Sequence, residues 1–434
     1  MGGVGIGIGL NLRRDGNISA AGWLASRGLG WSTAGADFRL RKFWLPSGVS
    51  GAAARWATEA EFAAQYTAAG TTSRPYTDAS GDLFANLAAN APRYTWVGGV
   101  RRLVVEGTTT NLVTARKHNP VAPFGTSNTG NADCLEAGQT AGTAVFTLAN
   151  DSAALAAAGL GQICTNGMVY KIDNSAGSGN AWINFRSDAI AANTTHVYEA
   201  HIRAPFGGFI RGSSGAGTVT LTPDAAYRRV NSIFANGTPQ TLRVEAGAGQ
   251  VVYVILPGVY RADYAPAFPV IGDTLSAVTR PIETFRLPAQ VEAMIATGPY
   301  TALVRGRLIG VTGGANSSRI LGTGSSYSPI AAWSGNPANR AASWVGSSEI
   351  WTPDRSDSPW TSGFGVGLTE DATGRSLSLN GNVVSDTEQA LAPAPHYLGR
   401  DGGGSPGEGF YDLIAFGATR LTNAQLQALA VPYV

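Results

Sequence analysis

The stretch G-G-V-R-R-L-V-V-E-G-T-T-T-N-L-V, residues 98–113, divides this chain. Val100, Leu103 and Val105 mark a strand, because side chains on a strand alternate between two faces. Glu106 comes directly after, a single acid in an apolar setting that reads as buried. Gly107 supplies a turn, and Thr108-Thr-Thr-Asn-Leu112 opens a new segment. The residues before the stretch read as a compact lead-in. Those after it read as two β-rich modules in series.

Composition agrees with a β-rich reading. Glycine is 57 of 434 residues and charged residues only 14%, too few to solvate long surface helices. Short strands joined by tight turns suit such a chain. A hydrophobic content of 44% is ample for packed cores. Net charge is +2 with no block of one sign, so nucleic-acid binding has no electrostatic footprint. No run of 18 apolar residues is present, which argues against membrane insertion. The N-terminal apolar run has no basic residues before it and is not read as a signal peptide, and the opening M-G-G-V-G-I lacks the Ser or Thr of a myristoylation site. Cys134 and Cys164 are too few for a disulfide framework and read as two buried thiols, with pairing left open.

Residues 2–12 alternate Val4, Ile6, Ile8, Leu10 and Leu12 with glycine or polar residues. This is either an edge strand or tail, or a strand that docks into a partner subunit. Phe38, Leu40, Phe43 and Trp44 give a strand with an aromatic cluster. Thr58 and Glu61 form a capping box for a short helix that places Phe62 and Tyr66 on one face. From 116 to about 280 the pattern is purely β, with runs at 167–173, 181–185, 196–203, 217–221, 227–234, 241–244 and 251–259. After 297 come further strands, an Asn380-Gly381 hairpin of type I′, the run Phe410–Phe416, and a helix capped by Thr422 and Gln425.

Catalytic signatures are lacking. No G-x-S-x-G, H-E-x-x-H or C-x-x-C occurs. His196 and His201 are five apart and point to opposite faces of a strand, poor metal partners. Glu349-Ile-Trp-Thr-Pro353 has one acid where a glycosidase needs a set, so no enzyme activity is expected. Glu370 and Asp371 read as solvated turn acids, with a calcium pair as the alternative and no other cofactor expected. Trp333, Trp344, Trp351 and Trp360 crowd into 28 residues with Asn336, Asn339, Arg340, Asp354, Arg355 and Asp357. Indole rings against apolar sugar faces, with polar groups for the hydroxyls, are the chemistry of glycan binding. Trp344 reads as core. Trp351 and Trp360, flanking a Pro/Asp/Ser loop, read as the ligand rings, with Asp354, Arg355, Asp357, Trp333 and Asn336 around them. Residues 401–407 (D-G-G-G-S-P-G) form a loop that could rim such a site or be a long turn.

The order Asn90, Pro92, Arg93, then Leu103, Val105, Glu106, Thr110, Asn111, Leu112 resembles a segment of tailed-phage structural proteins. An Arg usual in that segment is replaced here by Thr109. Thr195 with Tyr198, then Tyr227, Arg229 and Val230, then Val252, Tyr253, Val259 and Tyr260, closing on Thr279-Arg280-Pro281, resembles phage modules of the carbohydrate-binding type. The ending from Phe410 through Leu421 and Thr422 resembles concanavalin A-like (laminin-G-like) domains. These resemblances imply an all-β protein in three parts: a virion-attachment region at 1–115, a carbohydrate-binding-like sandwich at 116–284 and a concanavalin A-like sandwich at 285–434. They imply a fibre, spike or surface protein of a tailed phage or phage-like particle, assembled in the host cytoplasm and carried on the released virion. Its partners would be host cell-surface polysaccharide and other virion proteins. It would be a homo-oligomer, most simply a trimer, with a pentamer as the other option. A purely architectural virion protein and a glycan-degrading enzyme are the rival readings.

Overall fold

A computed structural model describes residues 18–47, 53–69, 74–121, 134–185, 187, 190, 194–236, 240–262, 264–272, 275–310, 318–324, 327–333, 339–345, 347–400 and 407–433. The strand proposed at 2–12, Asn336 and residues 401–406 lie outside this set, as does the side chain of Cys134; Cys164 is buried. The chain is all-β, its strands stacked mainly as two sandwiches.

The first sandwich is built from both ends of the chain. Strand Gly409–Gly417 runs through its larger sheet. On one side it pairs antiparallel with Tyr300–Leu308, which leads on to Phe364–Asp371, Gly374–Leu379 and Asn382–Asp386. Its other side is shared. Val100–Val105 pairs with its first half, at Gly409↔Val105 and Tyr411↔Leu103. Ala34–Asp37 pairs with its second half, at Ala36↔Ile414, and continues to Lys42–Ser47 and Ala53–Ala57. The facing sheet runs Ser348–Trp351, Arg340–Val345, Ser328–Trp333, Ser318–Thr323, His396–Leu398, Thr284–Arg286, Thr67–Ala69. One core lies between them, in which Phe38, Phe43 and Phe62 of the lead-in pack with Val304, Val366, Ile330 and Ile414. Phe62 and Tyr66 stack at 4.0 Å on the helix Glu59–Gln65, whose Thr58–Glu61 capping box is present.

The described strands between residues 34 and 105 are therefore no separate region. Strands among them complete the sheet that Gly409–Gly417 would otherwise leave with an open edge, and an open apolar edge is costly. The division expected at 115/116 and 284/285 is corrected accordingly: the second sandwich, 109–280, is inserted within the first. It pairs a sheet of Val145–Asn150, Met168–Asp173, Val251–Tyr260, Thr194–Ala204 and Asp224–Asn236 with one of Cys134–Gln139, Ala181–Phe185, Leu242–Ala246, Gly208–Gly212 and Val219–Leu221. Ile183, Val244, Ile210, Tyr198 and Val252 fill its core.

Residues 98–113 form the joint. Glu106 is fully buried where the two sandwiches meet. Arg93 donates from Nη2 to Glu106 Oε2 and, at 2.6 Å, to Glu283 Oε2; Arg280 Nη2 lies 3.0 Å from Glu106 Oε1. Ala267 N–H donates to Glu106 at 2.9 Å, and Arg74 lies 3.5 Å from Glu283. Burial alone would raise the Glu106 carboxyl, but Arg280 and Arg93 outweigh it and hold it below its ordinary value. Asn111 acts on the far side. Its Nδ2 donates to Pro257 O and Val270 O, and its Oδ1 accepts from Val113 and Val259 N–H. Thr110 bonds Thr279 at 2.8 Å, and Arg280 donates to Thr109, the position of the replaced Arg. Val104 and Phe410 of the first sandwich, with Leu83 of the small hairpin Tyr76–Thr77/Leu83–Phe84, share an apolar cluster with Leu155, Ile163, Tyr227 and Ile255 of the second.

Candidate functional site

Three neighbouring strands form the smaller sheet's free end: S-P-I-A-A-W (Ser328–Trp333), R-A-A-S-W-V (Arg340–Val345) and S-E-I-W (Ser348–Trp351). Alternation sends Ile330, Ala332, Ala341 and Ile350 to the core. The opposite parity therefore faces outward: Ala331 and Trp333, Arg340, Ala342 and Trp344, Glu349 and Trp351. Register sets Trp333 against Arg340, Ala342 against Trp351 and Trp344 against Glu349. Ala331 and Ala342 are fully buried although they face outward, since the large rings beside them cover their methyls.

The result is a strip of three indoles. Trp351 lies at its centre, edge-on to Trp333 at 5.6 Å and tilted 34° to Trp344 at 5.6 Å. The Arg340 guanidinium sits 4.2 Å from the Trp351 ring centroid and that of Arg319 4.2 Å from the Trp344 centroid. Cations over indole faces are attracted by the ring quadrupole, worth about 0.5–1 kcal/mol at an exposed site and more where the cation is desolvated; Arg340 is half-exposed and Arg319 is buried. Trp351 Nε1 donates to Glu349 at 3.1 Å, and Arg340 is 3.7 Å from Asp354. Three rings, Arg340 and Glu349 thus share one partly exposed surface, with Arg319 buried beneath Trp344.

Two sequence expectations are corrected. Trp344 is not core: it follows Arg340 and Ala342 at even spacing and shares their outer face. Trp360 is not a ligand ring: it is 1% exposed on the short helix Pro359–Ser362, 5.4 Å from Phe364, with Nε1 donating 3.2 Å to Trp333 O. It braces the strip from the core side. Arg355 and Asp357 satisfy each other through two hydrogen bonds of 2.7 and 2.8 Å, and Asn339 donates to Asp357 O. That pairing holds the Asp357 carboxyl below its ordinary value and raises Arg355. Asp354 approaches the strip only through Arg340. The sequence reading missed Arg319, 32 residues before Trp351 and in register with Ala331.

Glu370 and Asp371 are not a pair of solvated turn acids, since Glu370 is buried, and their carboxyls are turned to separate protein partners. Glu370 is buried and accepts from Tyr300 Oη and Ala390 N–H, whereas Asp371 accepts from Thr373 and Arg420. Among the described residues no group of three His, Cys, Asp or Glu side chains could hold a metal ion, and no helix is long and apolar enough to cross a membrane. His201 is half-buried, and desolvation pushes its imidazole down to about 3.

No family model matches the chain and no curated relative does either. Among solved structures it is similar to domain 4 of AbnA, a GH43 extracellular arabinanase from Geobacillus stearothermophilus in complex with arabinotriose. That match has 18% identity and a TM-score of 0.27 over 34% of this chain and 73% of that one. Trypanosoma rangeli sialidase matches with 11% identity and a TM-score of 0.27 over 90% of this chain and 66% of that one. Likeness of this degree carries no argument about activity.

Proposed function

We propose that this chain is a structural protein of a tailed phage or phage-like particle, a fibre, spike or surface protein, that binds host surface glycan without cleaving it. The observation that carries the binding reading is the Trp333–Trp351–Trp344 strip with Arg340 and Arg319 laid on it. The half-exposed indoles offer apolar area to sugar rings, and the Arg340 guanidinium and Glu349 offer hydrogen bonds to hydroxyls. The virion role rests on the phage-like order of Arg93, Glu106 and Asn111, each of which does structural work at the joint. Weak sites become useful when several copies engage together, so a homo-oligomer, a trimer first, belongs to the reading.

The experiment is binding of the full chain to host envelope polysaccharide. Cutting at residue 115 would remove strands from the first sandwich, so fragments are unsuitable. Trp351→Ala together with Trp344→Ala should abolish binding while the chain still unfolds cooperatively at a lowered midpoint; unchanged binding refutes the strip as the site. Release of reducing sugar would overturn the non-catalytic reading. A purely architectural role draws on one observation, the mutual satisfaction of Arg355 and Asp357, which leaves that loop little to offer a ligand. Oligomers that assemble normally yet bind no polysaccharide would decide for it.

A further inference from the structure

The outer face of the first sandwich's larger sheet gathers arginines that the sequence scatters. In Tyr300–Leu308, Ala302, Val304 and Leu308 point to the core, so Arg305 and Arg307 face outward. In Val100–Val105, Leu103 and Val105 point inward and Arg102 outward. Gly409–Gly417 runs between these strands, and its register passes from Arg305↔Leu413 directly to Gly306↔Tyr411. Asp412 is left over as a β-bulge, a device that re-aims a side chain. Its carboxylate accepts from Arg102 Nε at 2.8 Å. Its carbonyl accepts from Phe38 N–H at 2.9 Å, which brings Arg39, the next residue, to the same place. The Arg39 and Arg305 guanidiniums lie 4.4 and 4.9 Å from the Tyr433 ring centroid, and Tyr433 Oη donates to Asp37.

Arg39, Arg102, Arg305 and Arg307 thus surround two acids, Asp37 and Asp412. Burial raises the Asp412 carboxyl, and Arg102, Arg39 and Arg307 all pull against it. The patch keeps an excess of two positive charges, as large as the net charge of the whole chain. Its arginines are not equally committed. Arg305 donates from Nη2 to Leu429 O at 2.7 Å, and Arg102 uses Nε on Asp412 and Nη1 on Val97 O. Arg39 and Arg307 make no hydrogen bond or ion pair among the described residues. Each lies only over a ring, Arg307 at 4.9 Å from the Phe410 centroid. Both are half-exposed, and of the Arg307 nitrogens only Nε is shut in, so Nη1 and Nη2 open to solvent. Desolvation and the neighbouring Arg102 charge lower Arg307 below its ordinary value, and a bound anion opposes both.

We propose that this patch binds a phosphate monoester, held by the Arg39 and Arg307 guanidiniums and by Arg102 Nη2. A guanidinium fork meets two phosphate oxygens at once. A phosphate monoester carries about −1.5 to −2 charges at pH 7 on three terminal oxygens. That matches an excess of two positive charges and three separate donor groups. A carboxylate, with one charge and two oxygens, matches only part of it. Arg39 and Arg307 give up no protein partner when the anion arrives, so no buried charge is stranded. The patch lies on the opposite side of the first sandwich from the tryptophan strip and uses none of its rings.

The test is calorimetric titration of the full chain with sn-glycerol 3-phosphate, with glycerol and acetate as counterparts. Glycerol 3-phosphate should bind, more weakly as salt is raised, and glycerol should not. Arg307→Ala and Arg39→Ala should each weaken it about ten-fold or more, and Arg307→Lys, which keeps the charge and loses the fork, only a few-fold. Trp344→Ala with Trp351→Ala should leave this binding in place, which separates its fate from that of the strip. Co-sedimentation with phosphatidylcholine vesicles containing phosphatidic acid distinguishes the sources. Binding to these vesicles as well assigns the ester to a surface, and glycerol 3-phosphate alone assigns it to solution. Thermal midpoints identify any variant that fails to fold; should Arg307→Ala fail, Arg39→Ala decides. The proposal is overturned if glycerol 3-phosphate does not bind, if acetate binds as tightly, or if binding survives loss of both arginines.

Discussion

The joint and the tryptophan strip are both built on arginines, and they put them to opposite use. At the joint Arg93 and Arg280 are fully buried and locked to Glu106 and Glu283. On the strip Arg340 is partly exposed and lies over an indole, with its nearest carboxylate 3.7 Å away. Burial makes a guanidinium structural, because removing it strands a desolvated carboxylate. Exposure leaves it weakly committed and free to exchange partners. Arg93 and Arg340 teach that neither residue type nor local motif assigns a role; depth separates these two.

The largest effect that would break this comparison is at the joint. Glu106→Ala or Arg93→Ala should destabilise the protein by about 3–5 kcal/mol, seen in chemical denaturation. A loss below about 1 kcal/mol would mean that water reaches the cluster. Trp360→Ala should cost a similar amount, about 3–5 kcal/mol, since it empties core volume, whereas Trp351→Ala should cost far less stability and far more binding. Equal stability losses at both tryptophans would erase the distinction between brace and platform.

The pH dependence sharpens it further. Glu408, beside the joint, is pushed up to about 7 by burial and by the Glu106 charge, against the pull of Arg280. Its folded form holds a proton that the unfolded chain has released, so this carboxyl costs stability as pH rises from about 4.5 to about 7. Glu408→Gln should flatten that part of the profile. The half-buried His201 and the buried His396, pushed down by desolvation to about 3 and about 4, act in the opposite sense. Both stay neutral in the fold while the unfolded chain takes up protons below 6.5, so stability falls as pH drops. Smallest of all, Arg355→Ala should change stability by about 0.5 kcal/mol or less, because its pair with the half-exposed Asp357 is solvent-screened.

Much of the local structure is legible in the residues. The Thr58–Glu61 and Thr422–Gln425 capping boxes are present. The Asn380-Gly381 turn has both residues at positive φ, as a type I′ hairpin needs. Tyr198, Arg229 and Tyr260 fall on three neighbouring strands of one sheet. The tryptophan cluster was legible as well, but its internal assignment was not. Trp344 was misassigned because alternation tells which residues share a face, not which face looks inward; Trp360 because a loop-flanking position says nothing of depth.

What the sequence determined by itself is therefore short-range: the all-β class, the caps, the hairpin and a lone acid at Glu106 that had to be buried. Those features come from side-chain period, turn geometry and the cost of an unsatisfied polar group, all set within a few residues. Tertiary structure alone decided that Glu106 meets Glu283 and Arg280 across more than 170 residues, and that the lead-in completes a sheet begun at the other end of the chain. Pairing between distant strands is settled by which open edge and which apolar face remain to be covered. No local pattern carries that information.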